Sequence, residues 1–119
     1  MSLVNAIVKK LKTGSIPNVI LFSDVDIFPE PPYVVVKPEN GSINNTRQFR
    51  IIVHIKMGKF DDLENYCFNE LDNLLLNDIY DDEGNKYKLF LNGFTDVTPE
   101  PDDNTYFCER MYFTPLKSN

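Results

Sequence analysis

Histidine, cysteine and clustered carboxylates are the side chains that could do chemistry in this chain, and their number and spacing limit what that chemistry would be. Catalytic triads, Cys–His dyads and most zinc sites need histidine. The only histidine is His54, set between Ile52 and Lys56 on the outward face of a strand pattern, where it reads as a surface or interface residue. Cys67 falls in a helical pattern and Cys108 in a strand pattern, with neither C-x-x-C spacing nor a paired framework, so both read as buried apolar fillers. Carboxylates are plentiful, but residues 78–83 miss the calcium-loop pattern, because counting back from Gly84 puts Ile79 where the first ligand belongs. That run reads as a solvated acidic turn. A nuclease-type carboxylate site needs a lysine two residues after its last acid, yet Lys86 lies three after Glu83. There is no P-loop and no Gly-rich dinucleotide fingerprint. The expectation is a chain that is not an enzyme and takes no cofactor or metal, with a carboxylate–metal enzyme left as the third alternative.

Composition narrows the classes further. A chain of 119 residues has room for one domain, 1–119. With 42% hydrophobic and 13% aromatic residues it should fold rather than stay disordered. Eighteen acidic residues against twelve basic ones leave a formal net charge of -6. A phosphate backbone repels such a chain unless its basic residues cluster, so simple nucleic-acid binding is disfavoured. The apolar stretch at residues 3–8 precedes Lys9, Lys10 and Lys12, the wrong order for an export signal, and no apolar run approaches the roughly 18 to 20 residues of a membrane span. A soluble chain without membrane contact is expected.

The elements that must position these residues follow from periodicity. Residues 2–13 predict an amphipathic helix with Ser2 as N-cap, Leu3, Ile7 and Leu11 on one face, lysines in the last turn, and Gly14 where a C′ glycine belongs. Strands are expected near 19–22 and 33–37, separated by an acidic, proline-rich segment. Residues 38–46 read as a mobile polar loop. The clearest strand, 47–57, sets Phe49, Ile51, Val53, Ile55 and Met57 on one face and Gln48, Arg50, Ile52, His54 and Lys56 on the other. A second helix, 61–76, begins at Asp61 as N-cap and buries Leu63, Cys67, Leu71, Leu74 and Leu75. Strands at 86–92 and 105–114 complete the chain, the last with Phe107, Met111 and Phe113 opposite Tyr106, Cys108, Arg110 and Tyr112. The fold class is α+β: an antiparallel sheet of about four to five strands with two helices packed on one face, in the order α-β-β-β-α-β-β.

Charge is unevenly spread. Residues 60–83 carry nine acids, namely Asp61, Asp62, Glu64, Glu70, Asp72, Asp78, Asp81, Asp82 and Glu83, and no Lys or Arg. The strand before them carries Arg47, Arg50 and Lys56. An electrically two-sided surface of this kind favours contacts between copies, and head-to-tail contacts close into rings.

The helical start, the "PYVVVKPENG" strand and polar segment, the "RQFRIIVHIKMGKFDDLENYCFNELDNLLL" strand-to-helix unit and the closing "YFCERMYFTPL" strand resemble small phage tail-terminator and head-to-tail joining proteins over about residues 3 to 116. The resemblance implies a non-catalytic structural protein, in a phage or prophage, forming a ring, commonly hexameric, that caps the tail tube and docks it to neck or connector proteins. DNA would pass through the lumen without specific binding. It implies assembly in the host bacterial cytoplasm and a final place in the virion. On charge and expected exposure, Arg50, His54, Lys56, Arg110 and Tyr112 are candidates for the subunit interface. Glu70, Asp72, Asp78, Asp81, Asp82 and Glu83 are candidates for an acidic lumen or rim. Glu39, Asn40, Gly41, Asn44 and Asn45 would form a loop that reaches a partner. The alternative is a small cytoplasmic protein-binding or regulatory module using the same sheet face.

Overall fold

The fold is α+β, as the periodicities predict. A computed structural model describes residues 2–24, 26–43 and 46–115. The order along the chain is α1 (Ser2–Lys12), β1 (Val19–Leu21), a 3-10 turn (Phe22–Asp24), β2 (Tyr33–Ile43), β3 (Thr46–Met57), α2 (Phe60–Asn65), a π turn (Tyr66–Glu70), α3 (Leu71–Leu75), β4 (Ile79–Tyr80), β5 (Lys86–Tyr87), β6 (Phe90–Phe94), β7 (Thr98–Glu100) and β8 (Thr105–Pro115). A six-stranded sheet runs β1-β2-β3-β8-β6, with β7 also pairing to β8, and β4-β5 form a separate two-stranded ribbon.

The alternation in β3 divides the molecule. Phe49, Ile51, Val53 and Ile55 are buried against the helices together with Val34 and Val36 of β2 and Leu3, Ile7 and Leu11 of α1. Each such side chain removed from water stabilises the fold by roughly 1.5–3 kcal/mol before the ordering entropy is set against it. From α2 to α3 the buried residues Leu63, Cys67, Leu71 and Leu75 recur every fourth position. A four-residue repeat drifts about 40° per step on a helix of about 3.6 residues per turn. The wider π turn takes out part of that drift and keeps the line against the sheet.

Pairing differs from expectation in several places. β1 runs parallel to β2, whereas all other pairs in the main sheet are antiparallel. The expected loop at 38–46 is instead strand over most of its length: β2 continues through Glu39↔Arg50, Asn40↔Phe49 and Gly41↔Gln48 to Ile43↔Thr46. Ladder bonds are made by the backbone, so polar residues extend a strand when the partner strand is there to pair with them. Asn44 and Asn45, proposed for the same loop, lie outside the described residues. The expected strand at 86–92 is divided between β5 in the ribbon and β6 in the main sheet. The second helix starts at Phe60 on Lys59, with no side-chain cap from Asp61, which sits in the first turn, where its charge suits the helix dipole.

The largest correction is the phase of β8. Cys108, Arg110, Tyr112 and Thr114 face the helices and are buried, while Phe107, Met111 and Phe113 lie half-exposed on the opposite face. Both faces of this strand carry large side chains, so apolar content alone did not choose between them. What chose is the helix opposite. Cys108 meets Cys67 with sulfurs 2.17 Å apart and Cα atoms 7.5 Å apart, in a disulfide that ties the helical layer to the sheet. The two cysteines are therefore buried, as expected, but joined rather than free.

Candidate interaction surfaces

The parallel pairing of β1 and β2 requires a crossover, and residues 22–32 supply it with the 3-10 turn and, among the described residues, no α-helix. The crossover packs on the sheet face away from α1: Lys37 Nζ lies 5.1 Å from the Phe22 ring centroid and Phe28 stacks on Tyr33 at 5.7 Å. Val35, between Tyr33 and Lys37 on that face, is fully buried as a result. This outward face holds three of the residues expected at a subunit interface. His54 Nδ1 is 3.0 Å from Glu109 Oε2 and its ring stacks on Phe107 at 5.3 Å. Lys37 Nζ approaches the same Glu109 oxygen at 3.8 Å. Lys56 Nζ is 2.5 Å from Asp103 Oδ2, and this bond raises the Lys56 pKa and lowers that of Asp103. Arg50 is half-buried, its Nε lacks a hydrogen-bond partner, and it makes no ion pair among the described residues.

Arg110 and Tyr112, the other two expected interface residues, point into the molecule, and the reason is Asp72. Arg110 Nη2 donates to Asp72 Oδ2 at 2.5 Å and Tyr112 Oη donates to Asp72 Oδ1 at 2.9 Å. Burial alone would lower the Arg110 pKa, but the hydrogen bonds and charges of Asp72 and Tyr112 together outweigh it and raise it. Burial likewise pushes the Tyr112 hydroxyl well above its ordinary value. Asp72 is thus engaged within the chain, with its side chain still 25% exposed. Two further expected rim residues are spent inside the chain. Glu70 Oε2 accepts from the Ser15 backbone N–H at 2.7 Å and from Ser15 Oγ at 2.9 Å, fastening the end of α1 to the second helix. Asp81 is buried and accepts bonds from the Glu83 and Asn85 backbones, the Asn85 side chain and the Tyr87 hydroxyl, which together shape the β4–β5 turn. Asp78, Asp82 and Glu83 are exposed, with Asp82 3.1 Å from Lys9 in a surface pair of little energetic weight.

Among the described residues no group of three or more His, Cys, Asp or Glu is placed to hold a metal ion. Across the β3–β8 pair His54 faces Glu109, whereas Cys108 faces Ile55, so its side chain enters the opposite face of the sheet, where it is bonded to Cys67. A cleft of about 580 Å³ lies between the crossover and the β7–β8 turn, bounded by Phe28, Glu30, Tyr33, Lys56 and Asp103. Its one strong charge pair, Lys56 with Asp103, is already mutually satisfied.

Apart from Phe60 and Tyr80, the large exposed apolar side chains among the described residues fall in two regions that charge and periodicity did not single out. On the crossover these are Phe22, Ile27 and Phe28; at the opposite end of the sheet they are Phe90, Leu91 and Phe94 of β6, with Phe68 of the π turn. Phe68 and Phe94 meet edge to face at 6.2 Å and both flank the Arg110 guanidinium, at 5.3 and 5.4 Å. The available signal was the two apolar residues Ile27 and Phe28 standing between acids and prolines, and the run of Phe90, Leu91 and Phe94 without an acid.

No protein-family model matches the chain, and no curated protein does. A solved structure is similar in fold: a chain from the virion of a native gene transfer agent particle superposes with a TM-score of 0.67 over 98% of this chain and 96% of that one, at 9% sequence identity. The likeness is one of architecture.

Proposed function

We propose that this chain is a structural component of a phage-like virion, a non-catalytic protein that forms a ring at the head-proximal end of the tail as a tail terminator or head-to-tail joining protein. The observation that carries this reading is the shared architecture, over nearly the whole length of both chains, with a component of a gene transfer agent virion. The side-chain chemistry is consistent with it. The residues with catalytic potential are engaged with one another: His54 with Glu109, Lys56 with Asp103, and Arg110 and Tyr112 with Asp72. Copies of the chain would surround a lumen for DNA. The exposed acids Asp78, Asp82 and Glu83 would line its rim, with Asp61, Asp62 and Glu64 from the start of α2. Like charge there would keep a phosphate backbone from adhering. The distal end of the β2–β3 hairpin, beyond Glu39, would reach a tail-tube or neck protein.

Light scattering of the purified chain over a range of concentrations tests the proposal. A ring-sized species, several times the 13.8 kDa of one chain, is the expected result. A strict monomer, indifferent to added tail-tube and neck proteins, would reject it.

A further inference from the structure

The main sheet ends in two unlike edges. Beside β1 and β2, the crossover presents Ile27 at 88% exposure, with Phe22 and Phe28 half-exposed next to it. Residues 22–32 contain Asp24, Asp26 and Glu30 and no Lys or Arg. The support is stiff, since Phe22 and Phe28 rest on Lys37 and Tyr33, and Pro29, Pro31 and Pro32 restrict the backbone. A bulky aliphatic side chain is therefore held out into solvent with acidic neighbours on both sides.

At the far edge, β6 exposes Leu91 and Phe94 on the helix face, beside Phe68, and Phe90 on the outer face, against Phe113. Residues 84–95 contain Lys86 and Lys88 and neither Asp nor Glu, although Glu83 and Asp96 bound the run. Lys88 Nζ lies 5.9 Å from the Phe90 ring centroid. Edge strands are ordinarily blunted by shortness, charge or proline. β1 has three residues, β7 carries Pro99 and Glu100, and the part of β2 beyond β1 carries Lys37, Pro38 and Glu39. β6 has neither charge nor proline within it, and only a register shift between Leu91 and Gly93 interrupts it. The strand order β1-β2-β3-β8-β6 sets the two surfaces at opposite ends of the sheet. At about 4.8 Å per strand, β1 and β6 themselves stand roughly 19 Å apart.

The geometry points to a head-to-tail contact between copies of this chain, in which the acidic, apolar crossover of one docks on the basic, aromatic β6 edge of the next. Ile27 and Phe28 cover Leu91 and Phe94 on the helix face of the edge, and Asp26 and Glu30 meet Lys88, which lies by Phe90 on the other face. Each copy uses two different surfaces, so the contact is heterologous and repeats until rotation closes it into a ring. The inference rests on the self-assembly proposed above and names the surfaces through which it occurs.

Two double variants test it. Ile27→Ser with Asp26→Lys disables the crossover, and Phe94→Ser with Lys88→Glu disables the edge. Each alone should self-associate at least tenfold more weakly than the wild type. Mixed in equal amounts, they should give one new species at twice 13.8 kDa and nothing larger, because each pair joins through its remaining intact surfaces and then has none left. If Phe94→Ser prevents folding, Lys86→Glu with Lys88→Glu disables the edge by charge alone and leaves its packing untouched. A wild type that assembles while either variant assembles equally well, or a mixture that stays monomeric, overturns the contact and leaves the ring reading standing. A wild type that is monomeric at every concentration overturns the contact, and one that is also indifferent to added tail-tube and neck proteins overturns the ring reading with it.

Discussion

Arg110 is 3% exposed and its charge needs a counter-ion, which Asp72 supplies from a helix 38 residues away. Removing one member of such a pair leaves the other uncompensated, so Asp72→Ala should lower stability by about 3 kcal/mol in urea titration. Adding Arg110→Met to that variant should recover much of the loss, since a flexible apolar chain replaces a stranded charge. No recovery would mean that Asp72 acts only through Tyr112. Asp81 gives a pH-dependent counterpart. Desolvation pushes its carboxyl up, but the bonds from Asn85, Glu83 and Tyr87 more than reverse this and hold it below its usual range. A depressed folded-state pKa contributes stability that is fully present above the unfolded value of about 3.9 and is lost as pH falls through the folded value. The advantage of the wild type over Asp81→Asn in urea midpoint should therefore be full at neutral pH and shrink below about pH 4. An advantage that is unchanged in acid would remove Asp81 from this role. Neither residue was legible as structural in the sequence. An acid in a polar run looks the same whether water or a buried donor solvates it, and the donors for Asp72 lie in another element.

The elements were legible where periodicity is strong. In β3 the alternation named the buried face correctly, because one side is uniformly apolar and the other carries Arg50, His54 and Lys56. In β8 both faces carry large side chains, and the choice fell to the helical layer through Cys67, Phe68 and Asp72. Gly14 shows a similar division. It follows α1 as expected of a terminating glycine, but its requirement comes from close packing: a Cβ there would lie 2.7 Å from Glu70 Oε2 and 2.9 Å from Leu74 Cδ1. Gly14→Ala should cost about 1 kcal/mol in thermal or urea unfolding, through displacement of the Glu70 carboxylate from its bonds to Ser15. Were the site merely flexible, the same change would instead stabilise by roughly 0.4–1 kcal/mol. The extended β2–β3 hairpin was missed for a further reason: composition reports the polarity of residues 38–43, whereas strand formation there follows from the backbone of a partner that continues alongside.

For the whole molecule, the parallel placement of β1 beside β2 has the widest consequence. It forces the chain over the outer face of the sheet, and the connection that results carries Phe22, Ile27 and Phe28 to the end opposite β6. The mixing experiment and the scattering series address this scale, because only an assembly can cover both surfaces of every copy. The amino-acid sequence by itself determined the α+β class, the amphipathic helices, the buried face of β3 and the uneven distribution of charge, all of which follow from local spacing and composition. Tertiary structure alone decided the phase of β8, the burial of Arg110 and Tyr112, the pairing of Cys67 with Cys108, and which acids remain exposed. Those outcomes depend on partners brought together from distant positions, and a buried charge is stable only where such a partner is in place.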